Sequence, residues 1–249
     1  MPEGDSLHRA AGRLQVLVGQ KVEVETPHPR AAVKRLAERL DGRTLERVEA
    51  EGKNLYLSFS GGLVLRSHLR MNGRWRVEPR GSERRGTPWL VLRGDEYEAV
   101  QWNGPVLDLV TKCYKAESVP DIVLEEPEAV RFRARDQRRA IGDALLDQRL
   151  AAGIGNMWKA EALWEARVSP WRSLADLSDD ELAAVLGAAH RLMSTSVEGT
   201  RPLRHVYRRA GRACHRCGSV IRSAPQGEHA RTAYWCPRCQ VGGELPPAS

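Results

Sequence analysis

Apolar residues recur along this chain at two different periods. Near the start, Leu7, Ala10, Ala11, Leu14 and Leu17 fall on one face of a 3.6-residue repeat, which predicts a helix over 6–18. From Asn54 the period becomes two. Leu55, Leu57 and Phe59 alternate with polar residues, Ser60-Gly61-Gly62 supplies a turn, and 63–69 resumes the alternation, which predicts a β-hairpin. Runs at Trp75–Val77, Trp89–Leu92 and Tyr97–Trp102 continue in this style between glycine and proline breakers. Residues 1–113 therefore read as a mostly β domain with a leading helix.

Beyond a linker at 114–127, containing Pro120 and Pro127, the pattern turns helical over 128–200. Ile141–Leu150 and Met157–Ala166 read as amphipathic helices. Ser178-Asp179-Asp180-Glu181 is a capping box that opens a helix running to about Val197. Residues 201–249 hold an arginine-rich linker with Pro202, a cysteine module, and a tail from Pro246 expected to be loose. The fold class is multi-domain α+β.

Of the 249 residues 41% are hydrophobic and 29% charged, so a folded core is expected and general disorder is not. The net charge of +7 is unevenly placed. Nine arginines and two acids fall in 201–249, whereas the first 200 residues balance at 30 basic and 30 acidic side chains. Such a segment suits a polyanionic partner, or is a solvated basic tail. No run reaches the roughly 18 apolar residues that span a membrane. Met1-Pro2-Glu3-Gly4-Asp5 has neither the basic nor the apolar region of a signal peptide. No membrane association and a cytoplasmic, nucleoid-associated location are expected.

Four of the five cysteines form two pairs, Cys214/Cys217 and Cys236/Cys239, each C-x₂-C, with 18 residues between them. In a reducing compartment that spacing reads as a tetrahedral Cys₄ zinc site. Four thiolates leave no open coordination position, so one structural zinc per chain is expected, with no organic cofactor. His215 reads as a bystander and Cys113 as a small buried apolar residue. The hairpin between the knuckles carries Arg222 and Arg231, suited to phosphate contacts; alternatively the ribbon only packs against a neighbouring domain.

Asp147–Asn156 contains Gly153 and Gly155, which permit unusual backbone shapes, followed by a helix start where free N–H groups favour an anion. Asn156 can add a side-chain donor. An ordinary helix–helix connection has the same appearance. At the N-terminus, removal of Met1 would expose the secondary amine of Pro2. Such an amine can attack an electrophilic sugar carbon and form an iminium, with Glu3 beside it to move a proton. Met-Pro is also a common start without catalytic meaning. Lys53, at the head of a strand, reads by default as solvated surface.

Together these segments resemble the bacterial formamidopyrimidine-DNA glycosylase/endonuclease VIII family. They are Met1-Pro2-Glu3-Gly4-Asp5, Glu51-Gly52-Lys53-Asn54-Leu55, Ser67-His68-Leu69-Arg70-Met71-Asn72-Gly73, Asp147–Asn156 and Arg231–Gln240, in order along nearly the whole chain. The start is more similar to the endonuclease VIII branch, particularly its actinobacterial members. The resemblance implies an N-terminal β-sandwich with a flanking helix, a helix–two-turn–helix domain and a C-terminal β-hairpin zinc finger, with DNA in the cleft between. It implies a monomer that acts on damaged DNA as a bifunctional glycosylase and AP lyase.

The roles carried over are specific. Pro2 resembles the nucleophile that attacks C1′, and Glu3 the acid that opens the sugar. Lys53 resembles the lysine that binds phosphate and donates a proton in β-elimination. Arg231 resembles the arginine that grips phosphate and assists δ-elimination, and Asn156 the phosphate-binding asparagine. Met71 matches a wedge that fills the gap left by an extruded base. Two segments depart from the family. Gln101–Val106 lacks the Arg and Phe that complete the wedge in the formamidopyrimidine branch. Leu69-Arg70-Met71 differs from the Gln-Leu-Tyr insertion of the best-known endonuclease VIII. Oxidised pyrimidines are favoured as substrates, with oxidised purines the alternative. A catalytically inactive damage-binding relative and a zinc-ribbon transcription or ribosome-associated factor are competing readings; Pro2, Glu3 and Lys53 together favour the enzyme.

Overall fold

The computed structural model describes residues 2–110, 119–134, 136–200 and 203–242. Contacts divide the chain into two compact units, Met1–Ser118 and Val119–Ser249.

The first unit opens with helix α1 (Gly4–Leu14), extended by a 3₁₀ turn at Gln15–Leu17. It buries the stripe expected from the sequence: Leu7, Ala10, Ala11, Leu14 and Leu17. Eight strands follow: β1 (Lys21–Glu25), β2 (Arg43–Glu51), β3 (Asn54–Phe59), β4 (Leu63–His68), β5 (Arg74–Pro79), β6 (Leu90–Arg93), β7 (Tyr97–Trp102) and β8 (Val106–Val110). Short helices α2 (Pro29–Ala32) and α3 (Leu36–Leu40) lie between β1 and β2. The strand order is β5-β7-β6-β1-β2-β3-β4-β8, antiparallel throughout. Strand β1 is the corner. Lys21 and Val22 pair with β2, whereas Glu23–Glu25 pair with β6, so one strand joins β5-β7-β6 on one side to β2-β3-β4-β8 on the other. Leu55, Leu57 and Phe59 from one half share a core with Trp75, Leu90 and Leu92 from the other. The two halves thus form the layers of a sandwich.

The second unit contains α4 (Ala129–Arg133), α5 (Ile141–Ala144), α6 (Asn156–Glu165) and α7 (Asp179–Val197), then β9 (Arg222–Gln226) paired with β10 (Arg231–Trp235). The capping box is present: Ser178 Oγ accepts from the Glu181 amide at 3.1 Å, and Glu181 Oε2 accepts from the Ser178 amide at 2.9 Å. Leu182, Val185, Leu186, Ala189 and Met193 on α7 pack with Trp158, Ala162 and Leu163 on α6.

One expectation fails. Ile141–Leu150 is not a single helix; it ends after one turn. The side chain of Asp147 accepts from the Arg149 amide at 3.0 Å, from its guanidinium at 2.8 Å and from Arg139 at 3.0 Å. This side-chain turn competes with helix continuation. Cys113, residues 114–118 of the linker, Pro202 and the tail from 243 lie outside the described residues.

Candidate functional site

Pro2 is half-buried, and Glu3, 1% exposed, forms the N-cap of α1 with extended backbone. A carboxylate at this helix end faces the positive pole of the backbone dipoles. Asp5, also buried, accepts from Arg9 one turn later at 2.7 Å.

The other site residues of this unit gather at one end of the sheet. Lys53 lies in the turn between β2 and β3, where Glu51 pairs with Asn54. His68, the last residue of β4, pairs with Val106. The turn from β4 to β5 lies beside that from β7 to β8, because Arg74 pairs with Trp102. Arg70 sits at φ 51° with its amide donating to His68 Nδ1 at 3.0 Å, and the Gly73 amide donates to the Leu69 carbonyl at 2.9 Å. A Cβ at Gly73 would stand 2.5 Å from that carbonyl oxygen, so the turn requires glycine. Met71 is thereby held outward on a defined turn, 52% exposed. Across from it, Asn103 also adopts the left-handed conformation, φ 51°. Burial, then the charges of Arg70, Lys53 and Arg66, holds the His68 imidazole below its ordinary pKa. The end of the sheet is therefore electropositive and carries one protruding apolar side chain.

In the second unit, Gly153 (φ 101°) and N-cap Gly155 shape the approach to α6. Gln148 pins this turn: its Oε1 accepts from the Gly153 amide and its Nε2 donates to the Ile154 carbonyl, both at 3.0 Å. Asn156 begins α6 and is largely buried. Its Nδ2 donates to the Thr232 carbonyl at 2.8 Å, so α6 and β10 are tied one residue from Arg231. Arg231 itself is exposed at the start of β10, where it pairs with Gln226. The start of α6 is thus held against the strand that carries Arg231.

The four cysteine sulfurs all lie within 4.8 Å of one another. Cys214 and Cys239 are 3.9 Å apart, and Cys217 and Cys236 3.4 Å. Zinc bound tetrahedrally at about 2.3 Å gives sulfur–sulfur edges of about 3.8 Å, so the cluster has the dimensions of a metal centre. Ser219 lowers the Cys217 thiol pKa, whereas burial raises that of Cys239. His215 is exposed and engaged with His205 rather than with the sulfurs, in keeping with a bystander.

Residues 1–141 match the model of the formamidopyrimidine-DNA glycosylase N-terminal domain, and residues 120–205 that of the formamidopyrimidine-DNA glycosylase H2TH domain. The chain belongs to the formamidopyrimidine-DNA glycosylase family. It is 36% identical to the probable endonuclease 8 2 of Streptomyces coelicolor, over 97% of this chain and 95% of that one. To the endonuclease 8 1 of Mycobacterium tuberculosis it is 33% identical, over 97% of this chain and all of that one. In fold it is similar to Lactococcus lactis FPG in complex with DNA containing an oxidised pyrimidine. The TM-score is 0.82 at 24% identity, covering 97% of this chain and 100% of that one.

As a member of the formamidopyrimidine-DNA glycosylase family close to its endonuclease VIII relatives, the chain is a DNA glycosylase and AP lyase of base excision repair. Pro2, Glu3, Lys53 and Met71 fall in the first unit of this family member; Asn156, Arg231 and the four cysteines fall in the second. Sequence reasoning passed over His68 and Gln148, although both lie inside motifs it singled out. A residue opposite a strand end, or one latching a turn, has no signature of period or spacing; only the register and the folded turn reveal it.

Proposed function

We propose that this chain, once Met1 is removed, excises oxidised bases from DNA through the amine of Pro2, taking oxidised pyrimidines ahead of oxidised purines. The observation that carries the reading is the pairing of Pro2 with a buried Glu3 at the positive end of α1. The amine attacks C1′, and the glycosidic bond breaks with its electron pair leaving on the base. Glu3 takes the proton from the attacking nitrogen and delivers it to the ring oxygen as the sugar opens, leaving an iminium between Pro2 and C1′. Loss of the C2′ proton then expels the 3′ phosphate by β-elimination, with Lys53 as proton donor; Arg231 assists a second elimination at the 5′ side.

Lys53, His68 and Asn156 serve as phosphate contacts, the last through the N–H that Thr232 does not use. Met71 fills the space the damaged nucleotide vacates. The cysteine cluster holds one structural zinc, which supplies no chemistry and fixes the hairpin that carries Arg231. Residues 128–200 and 201–249 act as successive DNA-binding segments of a monomer located with the nucleoid. Because these contacts go to phosphate, affinity falls steeply with salt.

Borohydride trapping on the untagged, Met-processed protein tests the reading. The duplexes carry an abasic site, an oxidised pyrimidine or 8-oxoguanine. The expected result is a covalent adduct, strongest on the oxidised pyrimidine, that Pro2→Gly reduces by on the order of 10³-fold or more. Stronger trapping on 8-oxoguanine would reverse the preference. Salt-sensitive binding with no adduct on any duplex would leave a damage-binding protein.

A further inference from the structure

One side chain reaches the sulfur cluster from outside the cysteine module. Trp164, in the last turn of α6 and 6% exposed, directs its indole Nε1–H at Cys214 Sγ, 3.5 Å away. The ring is clamped in that orientation. The His205 imidazole stacks on it with centroids 4.0 Å apart and planes 7° from parallel. The Arg216 guanidinium lies 3.5 Å from the ring centroid, and Arg216 also donates to the carbonyls of Trp164 and Glu165. His205 is fixed in turn: its amide donates at 2.8 Å to Glu161, a buried carboxylate that also accepts from the amides of Val206 and Tyr207. Rotation of the indole would break both stacks, so its N–H is committed to the sulfur.

An indole N–H only donates, and a metal-bound thiolate is a better acceptor than a neutral thiol. The contact is not simply what any tryptophan of this unit makes: the indole nitrogen of Trp171, against Trp235, has no hydrogen-bond partner among the described residues.

We propose that Trp164 is a positioning residue of the metal centre, whose indole N–H withdraws charge from the Cys214 thiolate and slows its exchange and loss of metal. The inference rests on metal occupancy of the Cys₄ cluster, which the metal content of the wild-type chain measures separately. Partners beyond the ligands orient and tune them, and their loss typically costs about 10–100-fold in metal affinity. The same side chain joins α6 to the first knuckle, so the grip on the metal depends on a helix that contributes no ligand.

Two conservative variants of the full zinc-loaded chain separate this role from packing. Trp164→Phe keeps an aromatic ring and loses the N–H. Trp171→Phe makes the same change where no sulfur is approached. Zinc transfer to an excess of a chromogenic chelator at neutral pH is expected to be about tenfold faster for Trp164→Phe and unchanged for Trp171→Phe. In the cobalt-substituted protein, the sulfur-to-cobalt charge-transfer band of Trp164→Phe is expected at lower energy, because its thiolate is the more electron-rich. Release rates and band positions equal to wild type would overturn the proposal, as would equal acceleration by Trp171→Phe. If Trp164→Phe does not retain metal, the wild-type protein decides. With ¹¹³Cd in the site and ¹⁵N in the indoles, the N–H···S contact gives one indole proton a through-bond coupling to cadmium. Observation of that coupling supports the proposal, and its absence overturns it.

Discussion

The β-sandwich of the first unit and the cysteine-bearing hairpin of the second are held together by different material. In the sandwich, 21 buried apolar residues from α1, α3, the strands and the turns beside them form one cluster. Around the hairpin the corresponding cluster has seven residues, two of them the cysteines Cys214 and Cys236. A core of that size is too small to stabilise an independent fold without a further constraint. The cysteine cluster and buried polar side chains supply it. Gln240 accepts from the Cys236 amide and donates to the Val168 carbonyl, both at 2.9 Å. Gln226 donates to the Pro170 carbonyl and Asn156 to that of Thr232, both at 2.8 Å. In three of these four bonds a side chain reaches the backbone of a distant segment. Apolar burial tolerates small shifts; a hydrogen bond or a metal ligand does not. The part of the molecule that carries Arg231 is held by the directional kind.

This contrast can be broken in three ways. The largest effect is expected from Cys236→Ser. Structural zinc contributes its binding energy to folding, so bound zinc should fall from one equivalent to none and the hairpin at 222–235 should become protease-sensitive. The sandwich should keep its thermal transition; a chain that keeps its metal, or one that unfolds throughout, would contradict the division. Next is Leu57→Ala. Leu57 is fully buried in the sandwich core, and truncation should cost about 2–5 kcal/mol in denaturant titration while zinc content stays the same. Smallest is Gln240→Ala. Two buried main-chain groups lose their partner, at about 1–3 kcal/mol, with faster amide exchange at Cys236 as the local readout. No change there would show that the metal alone secures the hairpin.

What could be read from sequence divides along the same line. The β3–β4 hairpin was legible because Leu55, Leu57 and Phe59 alternate around a glycine turn. The α7 cap was legible because a capping box is a local code. The cysteine spacing announced the cluster of four sulfurs. Strand β2 was not legible: a register shift between Leu45 and Arg47 leaves its buried residues, Leu45 and Val48, three apart rather than two. The segment at 141–150 was read as helix because its apolar spacing is helical, yet Asp147 and its arginines end the helix early. At the candidate site, the motifs singled out Pro2, Glu3, Lys53, Asn156 and Arg231, whose proposed roles await test. The supporting side chains were hidden, because Gln148, Gln240 and Trp164 act on groups that only folding brings near.

The turn that presents Met71 is stiff for reasons independent of the methionine: a left-handed Arg70, an imidazole receiving its amide, and a glycine with no room for a Cβ. Its tip and the neighbouring tip at Asn103 can therefore change by mutation without re-optimising the frame beneath them. Such a mounting separates the identity of the side chain at the tip from the stability of the turn that carries it.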